Sequence, residues 1–192
     1  MKIGVLSIQG DVKEHAAALE KASAVKGIDV AVTLVRRVEH LRDLDRLIIP
    51  GGESTTISKF LWSQGLSDAI KKHAKDGMPI FGTCAGSVLL SSNILGKNLP
   101  RPLGLMDMTV DRNIYGSQKQ SFEAELDLPF SAKPYNAVFI RAPGIVEVNA
   151  DCNALVDLDG TIVMAKQGAL LAVTFHPELT ADTRIHEYFL GL

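Results

Sequence analysis

The segment Ile80-Phe81-Gly82-Thr83-Cys84-Ala85-Gly86 runs from an apolar strand through a turn of small residues into a helix starting at about Ala85. A strand passing directly into a helix is half of a βαβ unit, the building block of parallel sheets. The same grammar recurs on either side. Leu47 to Ile49 gives way to Pro50-Gly51-Gly52-Glu53-Ser54, and Leu170 to Phe175 gives way to His176-Pro177-Glu178. Further apolar runs at Ile3 to Ile8 and Val30 to Val35 read as buried strands closed by turn residues.

Between the strands, His15 to Ala24 and Ile57 to His73 carry apolar residues at three- and four-residue spacing, as helices do, and Gly77 before Met78-Pro79 marks a stop. This alternation predicts an α/β fold: a doubly wound, mostly parallel sheet with helices on both faces. After about Leu103 the texture changes. Strand-like pieces follow closely at Leu105 to Val110, Phe122 to Leu126, Ala137 to Ile140, Ile145 to Val148 and Ile162 to Ala165. Local antiparallel pairing is expected there, with turns at Asp159-Gly160 and Gln167-Gly168 and a closing helix from about Asp182.

At 192 residues, 46% of them apolar, the chain fits one domain over residues 1–192 with a single sizeable core. A net charge of −2 without a basic run offers no footprint for nucleic acid or an anionic membrane surface. The N-terminus enters a strand with no signal-peptide pattern, and no apolar run could span a bilayer, so a cytoplasmic protein is expected. Two cysteines, Cys84 and Cys152, lie far apart and suggest free thiols, neither a disulfide framework nor a metal site. His15, His40, His73 and His186 show no ligand spacing and are assigned no chemistry. Cys152, beside Asp151, has acidic company that disfavours a thiolate.

In open parallel sheets the functional crevice lies beyond the carboxyl ends of the strands, so the three post-strand segments can converge there. Gly82-Thr83-Cys84-Ala85-Gly86 has the form of a nucleophile elbow, in which a sharp strand-to-helix turn exposes the reactive atom. An arbitrary cysteine is more often a small buried hydrophobe, but the flanking glycines at a strand end reverse that preference here. Cys84 needs a base. His176 supplies one, and Glu178, two residues on in an extended segment, can orient its ring. Gly51 and Gly52 offer unobstructed backbone N–H groups for an oxyanion, with the Ala85 N–H as second donor, while Ser54 to Thr56 cap the next helix. Residue chemistry alone thus points to a cysteine acyl-transfer site. A hydrolase acting on another substrate and a ligand-sensing module on a similar sheet both stay open.

Pro50 to Gly52, Gly82 to Gly86 and His176 to Glu178 together resemble the class I, triad-type glutamine amidotransferases. Ile8-Gln9-Gly10-Asp11 with Glu14-His15, Asp111-Arg112-Asn113, Ser121 to Ala124, Phe139 to Pro143, Ala165 to Gly168 and Phe175 to Thr180 are similar to the subfamily of glutaminase subunits of pyridoxal 5'-phosphate synthase. The resemblance implies a flavodoxin-like fold, with Cys84 as nucleophile, His176 as base and acid, and Glu178 as orienter. It also implies L-glutamine held by Gly52, Glu53, Ser54, Arg112, Ile140 and Arg141. Ammonia would pass to a synthase subunit, and no metal or organic cofactor would be required of this chain.

Overall fold

The computed structural model describes residues 1–116 and 121–192. In chain order the first half holds β1 (Lys2–Leu6), α1 (Val12–Lys26), β2 (Ala31–Val35), β3 (Arg46–Ile49), α2 (Ser54–Ser63), α3 (Leu66–Lys75), β4 (Ile80–Thr83) and α4 (Ala85–Leu90). The second half holds β5 (Ser91–Leu95), β6 (Met106–Asp111), β7 (Ser121–Leu126), β8 (Tyr135–Ile140), β9 (Gly144–Val148), β10 (Asn153–Leu158), β11 (Thr161–Gln167), β12 (Leu170–Val173) and α5 (Arg184–Leu190). Short 3-10 turns occupy Val38–Leu41 and Pro177–Leu179.

The main sheet runs β2-β1-β3-β4-β12-β11-β9-β6-β5, with β10 pairing β11, while β7 and β8 form a separate ribbon. Strands β2, β1, β3, β4 and β12 are mutually parallel in the order of flavodoxin-like folds. Side chains alternate between two cores, as strand geometry requires. On β3, Leu47 and Ile49 join a cluster with Ile57, Leu61, Leu66 and Ile70 of α2 and α3. Ile48 joins the opposite cluster with Leu19 of α1 and Ile185 and Phe189 of α5. Helices therefore cover both faces.

Register then sets the site. Ile49 pairs with Gly82, and Thr83 pairs with Val173, so neighbouring strands β3, β4 and β12 end nearly level. The peptide that follows each of them must emerge at the same sheet edge.

Several expectations need correction. The single helix expected over Ile57 to His73 is two, broken at Gly65, which takes a left-handed φ of 70°. The apolar stripe masked the break because α2 and α3 both face the same cluster. Strands β5 and β10 escaped the sequence reading: β5 begins Ser-Ser-Asn and lies at the sheet edge, and β10 is an outer strand paired to β11. Antiparallel pairing does dominate the second half, but β5 joins β6 in parallel.

Close approach of α4 to the sheet depends on Gly86, where a Cβ would lie 2.0 Å from the Ile49 carbonyl oxygen. That oxygen belongs to a central strand and cannot yield as a flexible side chain could. Gly86→Ala is therefore expected to lose about 3 kcal/mol, a fall in Tm of roughly 6–12 °C by thermal denaturation. Gly27→Ala, at a helix end with open space around it, should lose only about 1 kcal/mol, from its left-handed φ alone.

Candidate active site

Cys84 joins β4 to α4 with φ 47° and ψ −105°, a conformation that non-glycine residues rarely adopt. Its strain is held from both sides. The Cys84 N–H donates to the Val173 carbonyl at 2.9 Å, and the Cys84 carbonyl accepts from Ser87 N–H at 3.1 Å and Ser87 Oγ at 2.7 Å. The turn closes so tightly that a Cβ on Gly82 would stand 2.6 Å from the Gly86 carbonyl carbon. Hence the glycines that flag an elbow in sequence are sterically required. Because α4 has only six residues, its influence on the thiol comes from the free N–H groups of its first turn more than from a long helix dipole.

His176 is carried just past β12, and its N–H donates to the Val138 carbonyl of β8 at 2.8 Å. Its Nδ1 lies 2.6 Å from Glu178 Oε1, and its ring stands close enough to Cys84 for the two side chains to interact electrostatically. With Nδ1 taken, Nε2 is the nitrogen left for the thiol. The pair is 5–6% exposed. The intervening backbone is a 3-10 turn begun by Pro177, not the extended segment expected, and this turn brings the carboxylate back to the ring. Burial alone would lower the His176 pKa, but the hydrogen bonds and charges of Cys84 and Glu178 outweigh it and push the ring up to about 10. Glu178, desolvated, is pushed above the usual carboxylate range despite its hydrogen bond to His176.

Two residues with no assigned chemistry, Asp11 and His15, also reach this centre. Asp11 Oδ2 lies 3.4 Å from His176 Nδ1. His15, fully buried, places Nε2 3.4 Å from Glu178 Oε2 and 3.1 Å from Thr83 Oγ1, and its Nδ1 3.1 Å from Nε2 of the buried His186 on α5. The available signal was positional: both follow β1, a neighbour of β3 in the same parallel block, as the other site segments follow theirs. Helical periodicity in α1 hid His15 as an ordinary inward-facing residue. Asp11, His176 and Glu178 also bring three possible metal-ligand atoms within 4.8 Å of one another, the one such group among the described residues, but His176 Nδ1 and Glu178 Oε1 are already hydrogen-bonded to each other.

A cavity of about 920 Å³ opens before Cys84, lined by Gly52, Glu53, Ser54, Ala85, Arg112 and Arg141 among others. Ile140 approaches through its carbonyl oxygen, 4.0 Å from Cys84 Sγ. Gly52, at φ 131°, faces the cavity, whereas Gly51 packs under the histidine, where a Cβ would come within 2.7 Å of His176 Cε1. The Gly51 carbonyl in turn abuts Gly10, since a Cβ there would lie 1.9 Å from it. Glu53, not Ser54 to Thr56, caps α2: its carboxylate accepts from Thr55 N–H at 2.9 Å, Thr56 N–H at 2.7 Å and Thr56 Oγ1 at 2.8 Å. Desolvation pulls its pKa up, but the hydrogen bonds from Thr55 and Thr56 together outweigh it and hold it down to about 2. Arg112 leans on it at 3.5 Å, leaving a cation at the cavity wall beside exposed Arg141.

Cys152 lies elsewhere, buried in the core. Burial first, then the charge of Asp107, raises its thiol to about 11, so the relevant acid is Asp107 and not its neighbour Asp151. No helix among the described residues is long and apolar enough to cross a membrane.

Comparison with known proteins places this geometry in context. Residues 5–191 match the model of the SNO glutamine amidotransferase family. The chain is 49% identical over 191 residues to pyridoxal 5'-phosphate synthase subunit PdxT of Pelotomaculum thermopropionicum, covering 99% of this chain and 94% of that one. It is 48% identical to the subunit of the same name from Pyrococcus furiosus, covering 99% and 98%. A solved structure titled as a glutamine amidotransferase superposes with a TM-score of 0.89 at 41% identity, covering 98% of this chain and 97% of that chain.

The buried histidines set an acid limit on stability. Burial lowers His186 to about 4, below its ordinary 6.5, so the unfolded chain binds the extra proton first. Its contribution is complete above pH 6.5 and is lost as pH falls toward 4, by up to about 3 kcal/mol. Denaturant titrations should show His186→Phe losing less stability than wild type between pH 6.5 and 4.5.

Proposed function

Since the chain belongs to the SNO glutamine amidotransferase family, we propose that it is the glutaminase subunit of a pyridoxal 5'-phosphate synthase, hydrolysing L-glutamine and passing the ammonia to the synthase subunit. The observation that supports this best is Cys84 at the cavity wall, beside a histidine whose Nδ1 Glu178 holds at 2.6 Å. A group pushed up to about 10 is protonated at neutral pH, so His176 rests as an imidazolium beside the sulfur.

The thiolate attacks the side-chain carbonyl of glutamine, and the developing oxyanion takes hydrogen bonds from the Ala85 N–H and the Gly51-Gly52 turn. His176 gives its proton to the departing nitrogen, releasing ammonia and leaving a glutamyl thioester. Now neutral, His176 takes a proton from water, whose attack frees glutamate and restores the thiolate. Every proton has a carrier in this chain, so the chemistry calls for neither metal nor organic cofactor. Arg112 and Arg141 suit the α-carboxylate of the substrate. Glu53 and Ser54, at the start of α2, together with the backbone of Gly52 and Ile140, suit its remaining polar groups.

Cys84→Ala is expected to abolish glutamate release while leaving Tm nearly unchanged, because alanine keeps the elbow small and removes only sulfur. Glu178→Gln should slow turnover less than His176→Ala, since the amide still positions the ring but no longer stabilises its charge. Equal activity of the two variants would remove His176 as base.

Partner control follows from the oxyanion turn. A peptide between two glycines flips at small steric cost, and one missing donor costs roughly 3 kcal/mol, about a hundredfold in rate. Glutamate release should therefore rise about a hundredfold when a synthase subunit is added to saturation. An isolated chain equally fast alone would contradict a partner-gated glutaminase.

A further inference from the structure

Glu178 presents its two oxygens to different histidines. Oε1 accepts from His176 at 2.6 Å, whereas Oε2 is buried and makes no hydrogen bond among the described residues. An unpaired carboxylate oxygen in an interior is expensive. The nitrogen facing it is His15 Nε2, at 3.4 Å on a side chain with no solvent exposure, reached from the opposite side of the molecule's sequence by the packing of α1.

The tautomer of His15 follows from its neighbours. Burial, then the charges of His186 and His176, keeps His15 well below its ordinary pKa, so it carries one ring proton. A bare Nε2 lone pair would face the carboxylate, whereas an Nε2–H hydrogen-bonds Thr83 Oγ1 at 3.1 Å and presents the positive edge of the ring to Oε2 at 3.4 Å. Nδ1 then accepts from His186 Nε2–H at 3.1 Å. His186 is itself neutral and fully buried, and Phe81 packs edge-on against both rings. The result is a chain of side chains running Cys84, His176, Glu178, His15, His186, with Asp11 flanking His176 from the solvent side.

We propose that His15 is a positioning residue for the triad: its Nε2–H fixes Glu178 so that Oε1 stays on His176 Nδ1, and His186 fixes the His15 tautomer. His15 touches neither substrate nor sulfur. Its effect is transmitted through the carboxylate, and without it Glu178 can rotate toward another donor and weaken its hold on the His176 imidazolium. The inference rests on the assignment of Cys84, His176 and Glu178 as the reacting triad, and it extends that triad by two residues.

The test compares His15→Gln with His15→Asn in the full chain. Glutamine can place an amide N–H where Nε2 stands, whereas asparagine reaches only the Nδ1 position, toward His186; both are polar and similar in their demands on folding. The readout is the rate at which iodoacetate alkylates Cys84, followed by peptide mass spectrometry across pH. An anionic reagent reacts fastest while the imidazolium is present, so the alkaline fall of the profile reports deprotonation of His176, with Asp11, Glu178 and Cys84 the other charged groups around it. In wild type and His15→Gln that fall should coincide to within a few tenths of a pH unit. In His15→Asn it should move to lower pH by roughly one unit, the tenfold loss expected of a weakened charge-assisted hydrogen bond. Coincident profiles for all three proteins, or equal shifts in both variants, would overturn the proposal. Because no glutamine is present, the result does not depend on the glutaminase reading, whose own failure would show only in glutamate release.

Discussion

A carboxylate with no solvent exposure, Glu178, is kept in the interior by one short hydrogen bond to His176. Removing an ionised group from water costs several kcal/mol after relaxation, and only a well-placed opposite charge offsets it. The protein meets this demand with the same histidine that stands beside Cys84, so the group that stabilises Glu178 in the core is also the group proposed to move protons. Breaking the pair would leave an uncompensated charge in the interior as well as a disordered imidazole.

The sheet makes this pairing reproducible. Parallel strands β3, β4 and β12 are adjacent and end in register, so three segments more than thirty residues apart in sequence emerge side by side. Each is then shaped by a local restriction. Small residues close the elbow around Cys84, Gly51 leaves room for the imidazole, and the Pro177 turn folds Glu178 back on the ring. Loss of space at Gly10, Gly51, Gly82 or Gly86 would push backbone or the His176 ring aside, which explains why glycine occupies these positions.

Much of this was legible in the sequence, for identifiable reasons. Buried parallel strands read as continuous apolar runs, and the chemistry-bearing residues follow those runs directly, so the fold and the Cys84, His176 and Glu178 grouping emerged together. Polar edge strands β5 and β10 did not, because their solvent-facing residues dilute the pattern. The break at Gly65 was hidden because the apolar stripe continues across it. His15 and Asp11 escaped because their partners His176, Glu178 and His186 are more than 160 residues away and no local pattern distinguishes a buried inward-facing histidine on an amphipathic helix from an ordinary core residue. The acidic neighbour of Cys152 was misread for the same reason: Asp107 acts through space, whereas Asp151 is merely adjacent in the chain.

The central claim is that one of two buried cysteines, differing in surroundings far more than in exposure, is the nucleophile toward glutamine. A glutamine-like diazoketone affinity label, followed by peptide mass spectrometry of the intact chain mixed with a synthase subunit, tests it most directly. The account predicts a single adduct on the peptide carrying Cys84 and none on that carrying Cys152, with glutamate release lost in proportion to labelling. An adduct on Cys152, or full loss of activity with Cys84 unmodified, would contradict it.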